Sequence, residues 1–172
     1  MYLFDTSVLS DYTKVDSPYH AAAVAFVNGN ISSMDQVNIC AVSVGEVGFG
    51  RELLMLRRPL PSQQKIDEVD ATLAALKQFA QSLPITHHVA REYGCLRAAY
   101  ANGVVPNLLG KKLKGKAVEL WHQHVPPSLL HITENDLWIA AVAITHDLIL
   151  VTRDKDFDSV KRHCNQLKLH RI

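Results

Sequence analysis

From Thr133 to Phe157 the chain reads TENDLWIAAVAITHDLILVTRDKDF, an order of signals that few folds accommodate. Thr133 is placed to cap a helix whose first turn holds Glu134 and Asp136, and Leu137, Ala140, Ala141, Ile144 and Leu148 then recur at helical spacing. His146-Asp147 is a turn, and Leu148 to Val151 is an unbroken apolar run of strand length. Thr152, Arg153, Asp154, Lys155 and Asp156 follow it. A helix that begins with acids and a strand that ends in them leave carboxylates where an α/β sheet builds its sites. The N-terminus repeats the device: Tyr2 to Phe4 is apolar, Asp5 comes next, and Thr6 and Ser7 start a helix through Val8, Leu9 and Tyr12.

Between these ends the alternation continues. Pro18 suits the first turn of a second helix, ended by Asn28-Gly29-Asn30. Val37 to Val42 is the next strand, rich in β-branched residues. Ser43 then caps the helix SVGEVGFGRELLMLRR, which Pro59 and Pro61 close. A long amphipathic helix from Ser62 carries Ile66, Val69, Leu73, Leu76 and Phe79 or Ala80 as its stripe. Leu83 to Thr86 is a short strand, and the helix from His87 or His88 runs to about Ala101, stopped by Asn102-Gly103. Residues 104–131 hold Pro106, Gly110, Gly115, Pro126 and Pro127, which break any single long element. Leu167 to Ile172 forms a terminal edge strand. Strands that alternate with helices make an α/β fold with a mainly parallel sheet.

With 172 residues, 48% of them hydrophobic, one core and one domain are expected. The net charge of +1 does not mark a nucleic-acid binder as a whole molecule. Three widely spaced cysteines, Cys40, Cys95 and Cys164, fit reduced thiols better than a disulfide frame or a zinc cluster. The start MYLFDTSVL lacks the pattern of a signal peptide, and no run approaches the roughly eighteen apolar residues of a membrane span. A soluble cytoplasmic domain without membrane association is the expectation.

In a parallel sheet the carboxyl ends of the strands share one edge, and ligands bind there. Asp5 and Asp154 follow strands, while Glu46 and Asp136 each sit in the first turn of a helix, so four acids converge on that edge. Two carboxylates about 4 Å apart repel by roughly 4 kcal/mol at an effective dielectric near 20. Four stay ionised only with a cation between them. No His or Cys belongs to these motifs, so the donors are hard oxygens, which favours Mg²⁺, with Mn²⁺ as the other candidate. A carboxylate-held Mg²⁺ suits phosphoester hydrolysis. Each acid also has a purely structural explanation. Ser43 to Glu46 and Thr133 to Asp136 both fit the capping box, Asp5 can cap a helix, and Asp154 and Asp156 can be turn acids.

With LFDTSVLSDY at the start, SVGEV at Ser43 to Val47, NDLWIAAVA at Asn135 to Ala143 and LVTRDKDF at Leu150 to Phe157, the chain resembles the PIN domains, specifically the VapC-type toxin ribonucleases of toxin–antitoxin pairs. The resemblance covers the N-terminal fifty and C-terminal forty residues, in order. It implies a three-layer α/β/α fold and Mg²⁺-dependent endonucleolytic cleavage of RNA. Carried over, the acidic site falls on Asp5, Glu46, Asp136 and Asp154, with Asp156 as an auxiliary metal ligand. Thr152 would order the site through its hydroxyl, as would Thr6 or Ser7. An antitoxin protein partner and a homodimer are implied as well. The stretch at about 102–131 has no counterpart in the pattern and reads as an insertion.

RNA affinity comes chiefly from neutralising phosphates. The insertion offers Lys111, Lys112, Lys114 and Lys116, with Trp121 nearby to stack on an unpaired base. Beside the acids stand Arg153 and Lys155, the latter the foremost phosphate contact. Two rivals stand against the nuclease. A haloacid-dehalogenase-like phosphatase wants a second Asp two residues after the first, where Ser7 stands. A non-catalytic PIN-like module would bind RNA or protein through the same crevice.

Overall fold

A computed structural model of the protein describes residues 1–76 and 82–172. Five strands, β1 (Tyr2–Phe4), β2 (Val37–Cys40), β3 (Ser82–Leu83), β4 (Ile149–Thr152) and β5 (Lys168–Arg171), form one sheet in the order β3-β2-β1-β4-β5. Every pairing is parallel, with Phe4 opposite Ile39 on one side and Val151 on the other. Successive strands step outward from β1 to β2 and β3, and the chain then returns to lay β4 on β1's other side. The order reverses between β1 and β4, which is where an open α/β sheet leaves a crevice.

The helices are α1 (Thr6–Thr13), α2 (His20–Asn30), α3 (Ala41–Leu56), α4 (Gln63–Leu76), α5 (His87–Val104), α6 (Trp121–His124), α7 (Pro127–Leu130), α8 (Glu134–Thr145) and α9 (Asp156–His163). Strand side chains alternate between faces, so neighbouring residues enter different cores. Leu3, Cys40 and Leu150 join α5 and α8 residues such as Val89, Leu96, Leu137 and Ala141. Phe4, Ile39 and Val151 join Val8, Leu9, Phe26 and Leu76 on the opposite face. That is the three-layer α/β/α arrangement.

Several boundaries differ from those the sequence predicts. Strand β2 ends at Cys40, and α3 begins at Ala41 with the Cys40 sulfur accepting the Val42 N–H at 3.3 Å. Ser43 therefore lies inside the first turn, fully buried, with its hydroxyl unpaired, and no capping box with Glu46 forms. Pro18 precedes α2 instead of entering its first turn. The short strand is Ser82–Leu83, and β4 runs one residue later than expected, taking in Thr152. Asn102-Gly103 does not stop α5, because that glycine serves packing: a Cβ there would lie 2.2 Å from the His163 ring of α9. Phe79 and Ala80 lie outside the described residues.

The stretch after α5 is a π-helical turn (Leu108–Lys112), a 3₁₀ turn (Val118–Leu120), α6 and α7. It is anchored on the α5–α8 side of the sheet, where Val105, Leu108, Leu113, Val125 and Leu130 enter the core. Arg97 of α5 donates to the Val125 carbonyl at 2.9 Å, and Tyr100 donates to that of Leu130 at 3.3 Å. Among the described residues no helix is long and apolar enough to cross a membrane.

Candidate active site

Asp5 leaves β1 at the switch point, its own N–H paired to the Val151 carbonyl of β4 at 3.0 Å. It occupies the N-cap position of α1, yet its side chain makes no cap bond. Its Oδ2 instead accepts the Ser7 hydroxyl at 2.6 Å and the Thr152 hydroxyl at 2.8 Å. Thr152 is fully buried, and its oxygen also accepts the Asp154 N–H at 2.9 Å. One hydroxyl thus ties the acid after β1 to the acid after β4. Asp154 in turn accepts the Asp156 N–H at 2.9 Å through Oδ1.

Glu46 comes from the second turn of α3, a consequence of that helix starting at Ala41. Thr6 donates to its Oε2, and Asn135 of α8 donates to its Oε1 at 2.7 Å. Asp136 takes part in a complete capping box: its N–H donates to the Thr133 oxygen at 3.1 Å, and its Oδ2 accepts the Thr133 N–H at 3.3 Å. The Thr133 hydroxyl adds a bond to the same oxygen at 2.6 Å. Asp136 thus caps its helix and lines the acidic pocket at once. Asp5, Thr6, Ser7, Glu46, Asp136 and Asp154 line one pocket of about 320 Å³.

The electrostatics report a shared field. Burial pushes the Asp5 carboxyl up; the Ser7 and Thr152 hydroxyls pull it back, and nearby Glu46 adds to the rise. Asp136 is pushed up to about 6, first by burial and then by the charges of Asp5 and Asp154, with the Thr133 hydroxyl opposing. Asp156 is raised by burial and by Asp154. Each of these directions marks a carboxylate short of compensating charge. The donor set is all carboxylate and hydroxyl oxygen, the chemistry of a hard divalent cation. Among the described residues, no three acids, His or Cys are drawn together tightly enough to form a ready metal site. Glu46 is held toward Asn135 and Asp136 toward Thr133.

The predicted nucleic-acid contacts are placed less uniformly. Lys155 is exposed between Asp154 and Asp156, at the start of α9. Arg153 is turned away to a structural partner, its Nε 2.7 Å from the buried Asp11 carboxylate and its guanidinium 4.6 Å from the Tyr19 ring centroid. Lys111, Lys112, Lys114 and Lys116 are all exposed. Trp121 is half-buried against the core, with its N–H donated to the Lys116 carbonyl at 3.1 Å. Asn135, which ties α8 to Glu46, has no role in the sequence reading. Its signal was position: the first turn of a capped helix presents each polar residue near the edge where Asp136 lies.

Comparisons with known proteins agree with this architecture. The family model of the PIN domain matches residues 2–163. No curated protein is similar enough to match. Among solved structures, FitAcB from Neisseria gonorrhoeae superposes with a TM-score of 0.63 at 23% identity, covering 98% of this chain and 96% of that one. VapBC2 from Rickettsia felis, solved bound to a DNA fragment from its promoter, gives 0.59 at 18%, covering 99% and 97%. VapBC-5 from Mycobacterium tuberculosis, a member of the VapBC family of toxin–antitoxin systems, gives 0.57 at 21%, covering 99% and 98%. With its family model matched over nearly the whole chain, its sheet order and its acids at the switch point, the chain belongs to the PIN-domain family.

Proposed function

We propose that the chain is a divalent-metal-dependent endoribonuclease and the toxin of a toxin–antitoxin pair. One observation carries the reading: Asp5, Glu46, Asp136 and Asp154, from four separate places in the sequence, line a single pocket at the sheet's switch point. PIN domains are generally nucleases, and the VapBC and FitAB complexes of the same fold support an antitoxin partner. A homodimer belongs to the same proposal.

The four acids would hold Mg²⁺ or Mn²⁺, with Asp156 as auxiliary. Such an ion supplies a Lewis acid for the phosphodiester and lowers the pKa of an attacking water. The chain's own part is placement. Ser7 and Thr152 hold Asp5, Thr6 and Asn135 hold Glu46, and Thr133 holds Asp136. Lys155 and the four lysines of the insertion are the proposed phosphate contacts.

The test is cleavage of RNA by the purified chain with Mg²⁺, with EDTA, and with Asp5→Asn. Metal-dependent cutting that Asp5→Asn abolishes is expected. Growth arrest on expression, abolished by Asp5→Asn and relieved by a co-expressed protein that binds the chain, would establish an antitoxin. Cutting by the Asn variant at the wild-type rate would overturn the assignment of the site.

A further inference from the structure

Next to the acidic pocket lies a larger one of about 580 Å³, and Glu46 lines both. Its walls are apolar, from Val42 and Phe49 of α3, Ile85 after β3, and Trp138 of α8, and its polar groups are Glu46 and Asn135. Phe49 is 66% exposed and Ile85 40% exposed, a large apolar outlay on a surface beside a functional site. Trp138 is held rigidly, because Tyr93 stacks on its ring at 3.8 Å and 6°.

Resting on the nuclease reading, we infer that this pocket receives the unpaired base of a nucleotide flanking the scissile phosphate, with Phe49 as its stacking surface. Three properties select a base over other occupants. The pocket shares Glu46 with the acidic pocket, so it lies beside the place a scissile phosphate would take. Among the described residues no Lys or Arg lines it, and Glu46 repels anions, so this lining disfavours a backbone phosphate. Aromatic and aliphatic walls beside one carboxylate and one amide match a flat ring with apolar faces and a hydrogen-bonding edge. A base within a duplex cannot turn into such a pocket, so the nucleotide must be unstacked and unpaired.

Binding of a labelled single-stranded ribohexanucleotide, measured in the Asp5→Asn background with and without Phe49→Ala or Phe49→Tyr, tests this. Alanine at an exposed helical position leaves the fold intact. Phe49→Ala is expected to weaken binding about tenfold, and Phe49→Tyr to retain it. One abasic site, scanned along the oligomer, should reproduce the loss at a single position and add nothing to it in Phe49→Ala, the signature of a shared contact. Losses that add in full at every position, or an Ala variant that binds as its parent does, would overturn the inference. So would an Ala variant that turns a dimer into a monomer with binding unchanged, since a second copy would then own this face. If the wild type cuts no RNA while the abasic cycle still closes, the nuclease reading fails and the base subsite stands.

Discussion

At the scale of single residues, the site gives up stability for an uncompensated charge. Asp5 is only 5% exposed, and burial raises its pKa. A folded-state pKa above the unfolded one means that ionisation disfavours the fold, so at neutral pH the Asp5 charge is a cost. Asp5→Asn is expected to abolish cleavage yet match or exceed the wild type in urea denaturation at pH 7. A loss of more than about 1 kcal/mol there would show that the carboxylate is chiefly structural. Asp136 allows a sharper test, having risen from 3.8 to about 6. The sign is the same: its favourable contribution is complete below about pH 4 and is lost as pH climbs through 6. In metal-free protein, the stability of Asp136→Asn relative to the wild type should therefore improve between about pH 4 and pH 6 and level off above. A flat difference across that window would mean that Asp136 titrates normally. Bound Mg²⁺ should erase the effect by restoring the missing positive charge.

At the scale of elements, the N-terminus of α8 is the part that the rest of the site leans on. Its cap Thr133 holds Asp136, Asn135 holds Glu46, and Glu134 accepts bonds from Tyr93 and, at 3.1 Å, from Arg97. Thr133→Ala should cost about 1 kcal/mol as a lost cap, and should lower cleavage more than that loss alone implies, because Asp136 is released. Denaturant midpoints and kcat, measured side by side, separate the two effects. The same element shows what a sequence can disclose. Local signals sufficed for α8, for β1 and β4 and for the meeting of four acids at one pocket, because cap, periodicity and strand-end position all lie within one short window. They misled at Ser43, where a capping-box pattern was outranked by a strand ending three residues earlier. They misled at Gly103, whose smallness answers to His163 across an interface instead of to a turn. Arg153 looked free because its partner, Asp11, lies 142 residues away. The stretch at 102–131 stayed opaque because Leu108, Leu113, Val125 and Leu130 anchor short turns with no repeating spacing.

For the whole molecule, the proposed nuclease function poses the problem of how a polyanion reaches an acidic edge. The chain has 18 Lys and Arg against 17 Asp and Glu, so no general positive field draws RNA in. Attraction has to be local, and Arg153 is already paired to Asp11. Lys111, Lys112, Lys114 and Lys116 lie within six residues on the exposed side of a stretch that the core grips through Leu108 and Leu113. A cluster on a fixed base keeps its place when a strand arrives, so its contacts cost little ordering of the loop. For single strands, each phosphate neutralised contributes about 0.7 to the slope of log K against log salt. Replacing all four lysines with Gln should therefore reduce the magnitude of that slope by at least about 1.4, the share of two contacts. KM should rise at physiological salt, while kcat at saturating RNA stays unchanged, because none of the four lines the acidic pocket. An unaltered salt slope would remove this stretch from the RNA path, and Lys155 would then have to carry it.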